Sequence, residues 1–298
     1  MSGFEMTRFF RTIKPFFYLL PSLVILGLFA YYPAFSVFRL SLFKWEFISP
    51  KMEFVGFDQF VRLFGDDRFW NSLWVTAKYT VGVTAVSLFL GLILAVLLNQ
   101  KKHIPGRSVW RSIYFLPSVT PTVAIAMVWM LIFNPGFGIV NIALRKLGLE
   151  GLNWLADMRW ALFCVMLLGI WRRMGFNFLN YLAALQNVSE SLYESAEIDG
   201  ANGFEKFLYI TLPMVKPTTI MLLILGVIDS FMVIDQILIL TGGGPGGSTE
   251  VIGQFMYTTA FRLAKLGYGS AISVVMFLII MIFTVFQWRF VGFGTAEE

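Results

Sequence analysis

Histidine and cysteine are nearly missing from this sequence, whose 298 residues hold one of each. Cys164 lies inside an apolar run, so neither a disulfide framework nor a thiolate metal site can form. His103 stands among Lys101, Lys102 and Arg107 and reads as a solvated loop residue. No second histidine completes a catalytic or metal-binding spacing, so no catalytic residue and no metal site are expected. Charge is scarce as well. Asp, Glu, Lys and Arg make up 14% of the chain, and the excess of +5 resides on basic residues that mostly flank apolar runs. A basic patch interleaved with aromatics on a polar surface is lacking, which argues against nucleic acid as a partner. The glycine-rich stretch 242–249 has no lysine after its last glycine, so it cannot cradle a nucleotide phosphate.

What the sequence has in abundance is hydrocarbon. Hydrophobic residues account for 57% of it, and the mean hydropathy of +0.73 exceeds that of soluble domains. A bilayer-spanning helix needs roughly 20 apolar residues. Runs of that order predict six spans, at about 15–42, 73–99, 111–134, 157–186, 217–241 and 266–290, in one all-α membrane domain covering 1–298. An even number of spans puts both termini on one side. Arg8, Arg11 and Lys14 precede the first span, and Lys101, Lys102, Arg107 and Arg111 crowd the short loop after the second. This density of positive charge predicts cytoplasmic termini, a cytoplasmic loop at 187–216 and an outer loop at 242–249. The first span resembles a signal peptide in its basic start, but its length and the five further spans predict an anchor that stays in place. Between the first two spans, Phe54-Val55-Gly56-Phe57-Asp58 and Arg68-Phe69-Trp70 predict a folded cap at the interface.

The cytoplasmic loop holds the most specific pattern. Ser191 with Glu194, and Asn202 with Glu205, have capping-box spacing for two short helices. Gly200 stands where the first helix must stop and the chain reverse, and small Ala196 and Ala201 permit close approach of a partner. Glu194, Ala196, Asp199, Gly200, Ala201, Phe207 and Pro213 fall in one register. The segment resembles the coupling loop of binding-protein-dependent ABC importer permeases, with Ser195 replacing the family's first alanine. Leu240-Thr241-Gly242-Gly243-Gly244-Pro245, followed by Thr249 and Tyr257, is similar to a segment of the maltose-type and glycerol-phosphate-type permeases.

The resemblance implies a type I (MetI-like) permease fold with a cytoplasmic coupling helix, in a prokaryotic inner membrane. It implies a second homologous permease subunit, two ATP-binding subunits that hold ATP and magnesium, and an external solute-binding protein. The chain itself would have no cofactor and no enzymatic activity, and would conduct a sugar or sugar-phosphate-like solute.

Four charges interrupt the spans: Arg172 and Arg173 in the fourth, Asp229 and Asp235 in the fifth. An ionised group at the bilayer centre costs roughly 2.5–3.5 kcal/mol on insertion scales, so such groups pair or line a path. Counted at about 1.5 Å per residue, Arg172 lies about 20 Å from the outer end and Asp229 about 16 Å from the inner end, so the two can meet. Two readings stay open: a salt bridge locking the fourth span to the fifth, and a polar patch along a solute path. Trp129, Trp171, Asn177, Asn180 and Tyr181 join the second reading, since saccharides combine stacking with amide hydrogen bonds. Tryptophans also mark interfaces, and asparagines also join helices. An ion-coupled transporter using Asp229 or Asp235 is the alternative, though the internal inverted repeat it needs is not found.

Overall fold

The computed structural model describes residues 18–47, 51–99 and 106–291. The residues Arg8, Arg11, Lys14, Lys101, Lys102 and His103, together with the side chain of Arg107, lie outside the described residues. In chain order the elements are α1 (Tyr18–Leu40), β1 (Phe43–Lys44), β2 (Glu53–Phe54), α2 (Asp58–Phe64), α3 (Asp67–Asn99), α4 (Arg107–Val119), α5 (Thr122–Ile132) and α6 (Ile139–Lys146). They continue with α7 (Ala161–Gln186), α8 (Glu190–Ile198), α9 (Gly203–Met214), α10 (Lys216–Phe231), α11 (Asp235–Leu240), α12 (Ile252–Tyr257) and α13 (Leu266–Val291).

Among the described residues four helices are long and apolar enough to cross a membrane, and two bent pairs bring the number to six if each pair is one span. The third expected span is therefore not one straight helix. Its halves α4 and α5 meet at 98°. Thr120 is extended, at ψ 140°, because the ring of Pro121 forbids helical backbone in the residue before it. The fifth expected span is also broken. Its helix α10 ends at Phe231, and α11 begins only at Asp235. At its N-terminal side α9 and α10 meet at 63°, around Val215 and just before Pro217, which supplies no N–H to the preceding turn.

The chain divides into two compact units, one of residues 1–65 with 258–275 and one of 66–257 with 276–298. In the first, β1 and β2 pair antiparallel with Phe43 opposite Phe54. The strand end is stitched to the start of α13 by Phe47 N–H donating to the Ala264 carbonyl (2.8 Å) and Gly267 N–H to that of Trp45 (3.1 Å). Arg62 on α2 lies 4.6 Å over the ring of Tyr268. The described residues 43–47 and 51–64 are thus folded, as the aromatics at 54–58 predict.

In the second unit α3 and α7 pack along their length. Leu88, Leu92 and Ala95 of α3 meet Phe178, Tyr181 and Leu182 of α7, with Leu222 of α10 joining them. The approach is close enough that a Cβ on Gly91 would lie 2.8 Å from that of Asn177. Small residues serve membrane helices this way, because packing rather than the hydrophobic effect draws them together. A second cluster joins Val75 and Val83 of α3, Ile125 of α5, Leu168 of α7 and Ile237 of α11. Thr76 donates to the Ser72 carbonyl at 2.7 Å and accepts from Ile252 N–H at 2.8 Å, which seats α12 against α3. Cys164 is fully buried and unbridged.

Candidate functional site

Where α10 breaks before α11, the second unit opens a cavity of about 400 Å³. Tyr79 and Val83 of α3, Ser118 and Thr122 beside the α4–α5 bend, and Gly169, Arg172, Arg173 and Phe176 of α7 form three of its walls. The fourth runs from Asp229 and Ser230 through the unwound Met232–Ile234 to Asp235 and Gln236. The cause of its polarity is local. At a helix break, backbone groups lose their partners, and non-helical backbone at membrane depth persists only where it lines a cavity or is buried in protein. Helix α12 closes against the break at Gly253, where a Cβ would come within 2.7 Å of the Phe231 carbonyl oxygen.

The four span charges predicted from sequence all reach this cavity, and they are not equivalent. Arg173 forms an ion pair with Asp229 and also donates to the Leu222 carbonyl at 3.3 Å. Its side chain is 9% exposed, against 66% for that of Asp229. The partner of Asp229 is thus Arg173 and not Arg172. Arg172 is half-buried, and Asp235 is the exposed first residue of α11. The side chain of neither has a hydrogen bond or ion pair to another described residue.

The remaining candidates stand apart from the cavity lining. Asn177 is buried and donates to Ser87 Oγ at 3.0 Å, joining α7 to α3. Asn180 returns its amide to the Phe176 carbonyl at 2.9 Å. The hydroxyl of Tyr181 donates to Thr219 Oγ1 at 3.0 Å from within the α3–α7 core. Trp129 and Trp171 pack on each other, with ring centroids 5.9 Å apart, and line no part of the cavity. Four of these residues hold helices together, while Asn180 bonds within its own helix α7.

Sequence reasoning missed Tyr79 and Gln236. Tyr79 sits four residues from both Val75 and Val83, a spacing that reads as core, and it is indeed 3% exposed. Gln236 follows Asp235 and is 1% exposed, and its amide donates to the Tyr79 hydroxyl oxygen. An amide beside a carboxylate in an apolar stretch was the available signal.

The second polar region is the turn between α8 and α9. The first cap differs from the expected one, because α8 begins at Glu190 with Ser189 as its N-cap. Ser191 lies inside the helix and its hydroxyl meets that of Ser189 at 2.7 Å. A helix starting earlier leaves Glu194 on the second turn, where it cannot close a box with Ser191. At the other end the expectation holds. Gly200 has φ +84°, and nothing lies within 4 Å of where its Cβ would be. Its N–H donates to the Glu197 carbonyl (3.1 Å), and that of Ala201 to Ala196 (2.9 Å), which together form a Schellman motif. Asn202 Oδ1 accepts from Phe204 and Glu205 N–H, each at 3.0 Å, while Glu205 accepts from Asn202 N–H at 2.7 Å, the complete capping box.

Around this turn Glu194, Ser195, Asp199 and Gly200 are exposed, and Ala196 and Ala201 are half-buried. Lys206 reaches Glu197 at 3.5 Å, and Phe207 packs against the α3–α7 core. Pro213 is exposed, two residues before the α9–α10 bend. Ile198 and Phe204, at 86% and 71% exposure, flank the turn as bare apolar side chains.

The glycine-rich loop 242–249 is a tight structure held by hydroxyls. Thr249 Oγ1 donates to the Gly244 carbonyl at 2.9 Å, and Gln254 donates to that of Gly242 at 2.9 Å. Arg68 grips Glu250 with two hydrogen bonds of 2.7 and 2.6 Å. Among the described residues no group of three His, Cys, Asp or Glu side chains is arranged to hold a metal.

Residues 87–291 match the family described as binding-protein-dependent transport system inner membrane component. The chain is 37% identical over 267 residues to the trehalose/maltose transport system permease protein MalF of Thermococcus litoralis, covering 90% of each. It is 32% identical over 298 residues to the arabinooligosaccharides transport system permease protein AraP of Bacillus subtilis, covering 99% of this chain and 94% of that one. Its fold matches a chain of the bacterial alginate ABC transporter solved in complex with an alginate pentasaccharide-bound periplasmic protein. There the TM-score is 0.82 at 25% identity, over 94% of this chain and 96% of the other.

Proposed function

The chain belongs to the family of binding-protein-dependent transport system inner membrane components, and we propose that it forms half of a translocation path for a sugar or sugar-phosphate-like solute. It is a permease subunit. The cavity at the α10–α11 break is the observation that carries the solute path, because it gathers polar side chains in a unit whose packed interior is apolar. Groups of that kind within a membrane mark substrate routes. Relatives named for trehalose/maltose and for arabinooligosaccharides, and a fold neighbour that handles alginate, support a saccharide. The ion-coupled alternative using Asp229 or Asp235 has no support, since the family and the relatives are binding-protein-dependent permeases, and Asp229 is already held by Arg173.

With this reading go a second homologous permease subunit, two ATP-binding subunits that hold ATP and magnesium, and an external solute-binding protein. The chain crosses the inner membrane six times when each bent pair counts as one span, with both termini and the 187–216 loop in the cytoplasm. The turn at Glu194, Ser195, Ala196, Asp199, Gly200 and Ala201 then seats in a groove of an ATP-binding subunit, and Phe207 and Pro213 lie on the connection inward.

The transmission is mechanical. Closure of the ATP-binding subunits displaces α8, and the Schellman motif and capping box hold α8 and α9 as one body. Helix α9 runs through the Val215 bend into α10, which bears Asp229 and ends at the cavity. A rigid shift at Gly200 therefore arrives where the solute is held.

The test is co-expression of the chain with its neighbouring transport subunits and purification through a tag on this chain. An ATP-binding subunit should co-purify, and its hydrolysis should rise when the solute-loaded external protein is added. Recovery of this chain without an ATP-binding subunit would overturn the reading.

A further inference from the structure

The proposal concerns the chemical class of the solute, and it rests on the reading of the cavity as the solute path. Two arginines and two aspartates line that cavity, so its walls sum to zero formal charge. They divide into a spent pair and a free pair. Arg173 is committed to Asp229 and the Leu222 carbonyl, and its side chain is nine-tenths buried. The side chains of Arg172 and Asp235 have no hydrogen bond or ion pair to any other described residue, yet both residues line the same space.

The neutral groups narrow the chemistry further. Ser118 and Ser230 turn their protons back onto the Phe115 and Gly226 carbonyls, each at 2.7 Å, and so have none to offer. Tyr79 differs from them. Its oxygen accepts the Gln236 amide, which leaves the phenolic proton to be donated into the cavity it lines. The open polar capacity is therefore a cationic donor, an anionic acceptor and a phenolic donor, beside the Thr122 hydroxyl and the unwound backbone at Met232–Ile234.

We infer that the cavity takes an uncharged, polyhydroxylated solute and rejects sugar acids, with Arg172 and Asp235 as its paired donor and acceptor and Tyr79 as a third contact. A hydroxyl can serve all three, since it accepts from Arg172 or Tyr79 and donates to Asp235. Hydrogen bonds to ionised groups are the strong ones, and a solute unable to meet them leaves desolvated groups without partners. A carboxylated sugar gains Arg172 but meets Asp235, and beyond it Asp229, whose side chain is 66% exposed although paired. Like charges in a confined site repel, which is how a binding site excludes a near-relative of its ligand.

The test uses the complete detergent-solubilised permease–ATPase complex without the external binding protein, so that protein's own selectivity does not enter. Maltotriose and trigalacturonate are titrated at neutral pH, with saturation-transfer NMR reading contact. Maltotriose should bind, and trigalacturonate should bind about tenfold more weakly or not at all. Arg172→Gln and Asp235→Asn should each weaken maltotriose by roughly fivefold or more, with the melting temperature of the complex unchanged. Asp235→Asn should also strengthen trigalacturonate binding, a gain that a misfolded variant cannot produce. Equal or tighter binding of trigalacturonate by the wild-type complex would overturn this inference and leave the carbohydrate reading standing. Maltotriose binding indifferent to both substitutions would overturn the residue assignment. Failure of the wild-type complex to bind either saccharide would overturn the inference together with the reading beneath it.

Discussion

The hydroxyl of Tyr193 on α8 meets Thr211 Oγ1 on α9 at 3.0 Å, so the two short helices are joined by a side-chain bond as well as by their turn. Thr211 is 5% exposed and lies where α9 turns toward the Val215 bend. If this bond stiffens the coupling loop, Tyr193→Phe should lower solute-stimulated transport several-fold while the complex still assembles. One neutral hydrogen bond contributes about 0.5–1.5 kcal/mol, enough to loosen the joint without unfolding it. Uptake by reconstituted vesicles checks this, and transport equal to wild type would remove Tyr193 from the lever.

At Gly200 the constraint is backbone and not space. A Cβ there meets nothing, but φ of +84° is a conformation that β-branched residues resist. Gly200→Val should cost about 1–3 kcal/mol in the turn, abolish transport and weaken retention of the ATP-binding subunit, with membrane insertion intact. Gly200→Asn should retain most function, because asparagine tolerates the left-handed region. Co-purification and uptake assays of both variants decide it; normal uptake by Gly200→Val would contradict the coupling mechanism.

The Arg173–Asp229 pair predicts an asymmetric double-mutant cycle. Asp229→Asn strands a buried guanidinium whose side chain is 9% exposed. Breaking a buried pair this way costs about 3–5 kcal/mol. Arg173→Gln leaves behind an aspartate that is 66% exposed and can hydrate, so its cost should stay near about 1 kcal/mol. Thermal unfolding of the four complexes measures both, and the double variant should recover most of the stability lost in Asp229→Asn. Equal destabilisation by the two single variants would show that burial does not govern this pair.

Topology is open to direct labelling. In a Cys164→Ser background, a cysteine at Glu205 should resist a membrane-impermeant thiol reagent in intact cells and react in inverted vesicles. A cysteine at Ser248 should show the reverse. Reaction at position 205 in intact cells would invert the orientation and sink the coupling role.

Much of this protein is legible in its sequence because the relevant physics is local. Apolar length marks the membrane helices, and Gly200 with Asn202 and Glu205 marks the reversal, since caps act between residues four apart or fewer. The Ser191 cap failed for the same reason of scale: Ser189 competes for the position two residues away, and periodicity does not resolve which serine wins. The breaks at 120 and 232–234 were hidden inside apolar stretches whose composition suits a straight span, although Pro121 was a signal for the first. Membership of the cavity, by contrast, is set by contacts between residues distant in the chain. Arg173 finds Asp229 at a sequence separation of 56, and Gln236 finds Tyr79 at a separation of 157. Trp129, Asn177 and Tyr181 have side chains as suited to a solute as those of the lining residues, but their helix faces turn into packed neighbours. Residue type states what a group can bind, whereas helix rotation and contact determine whether it meets a solute or another helix.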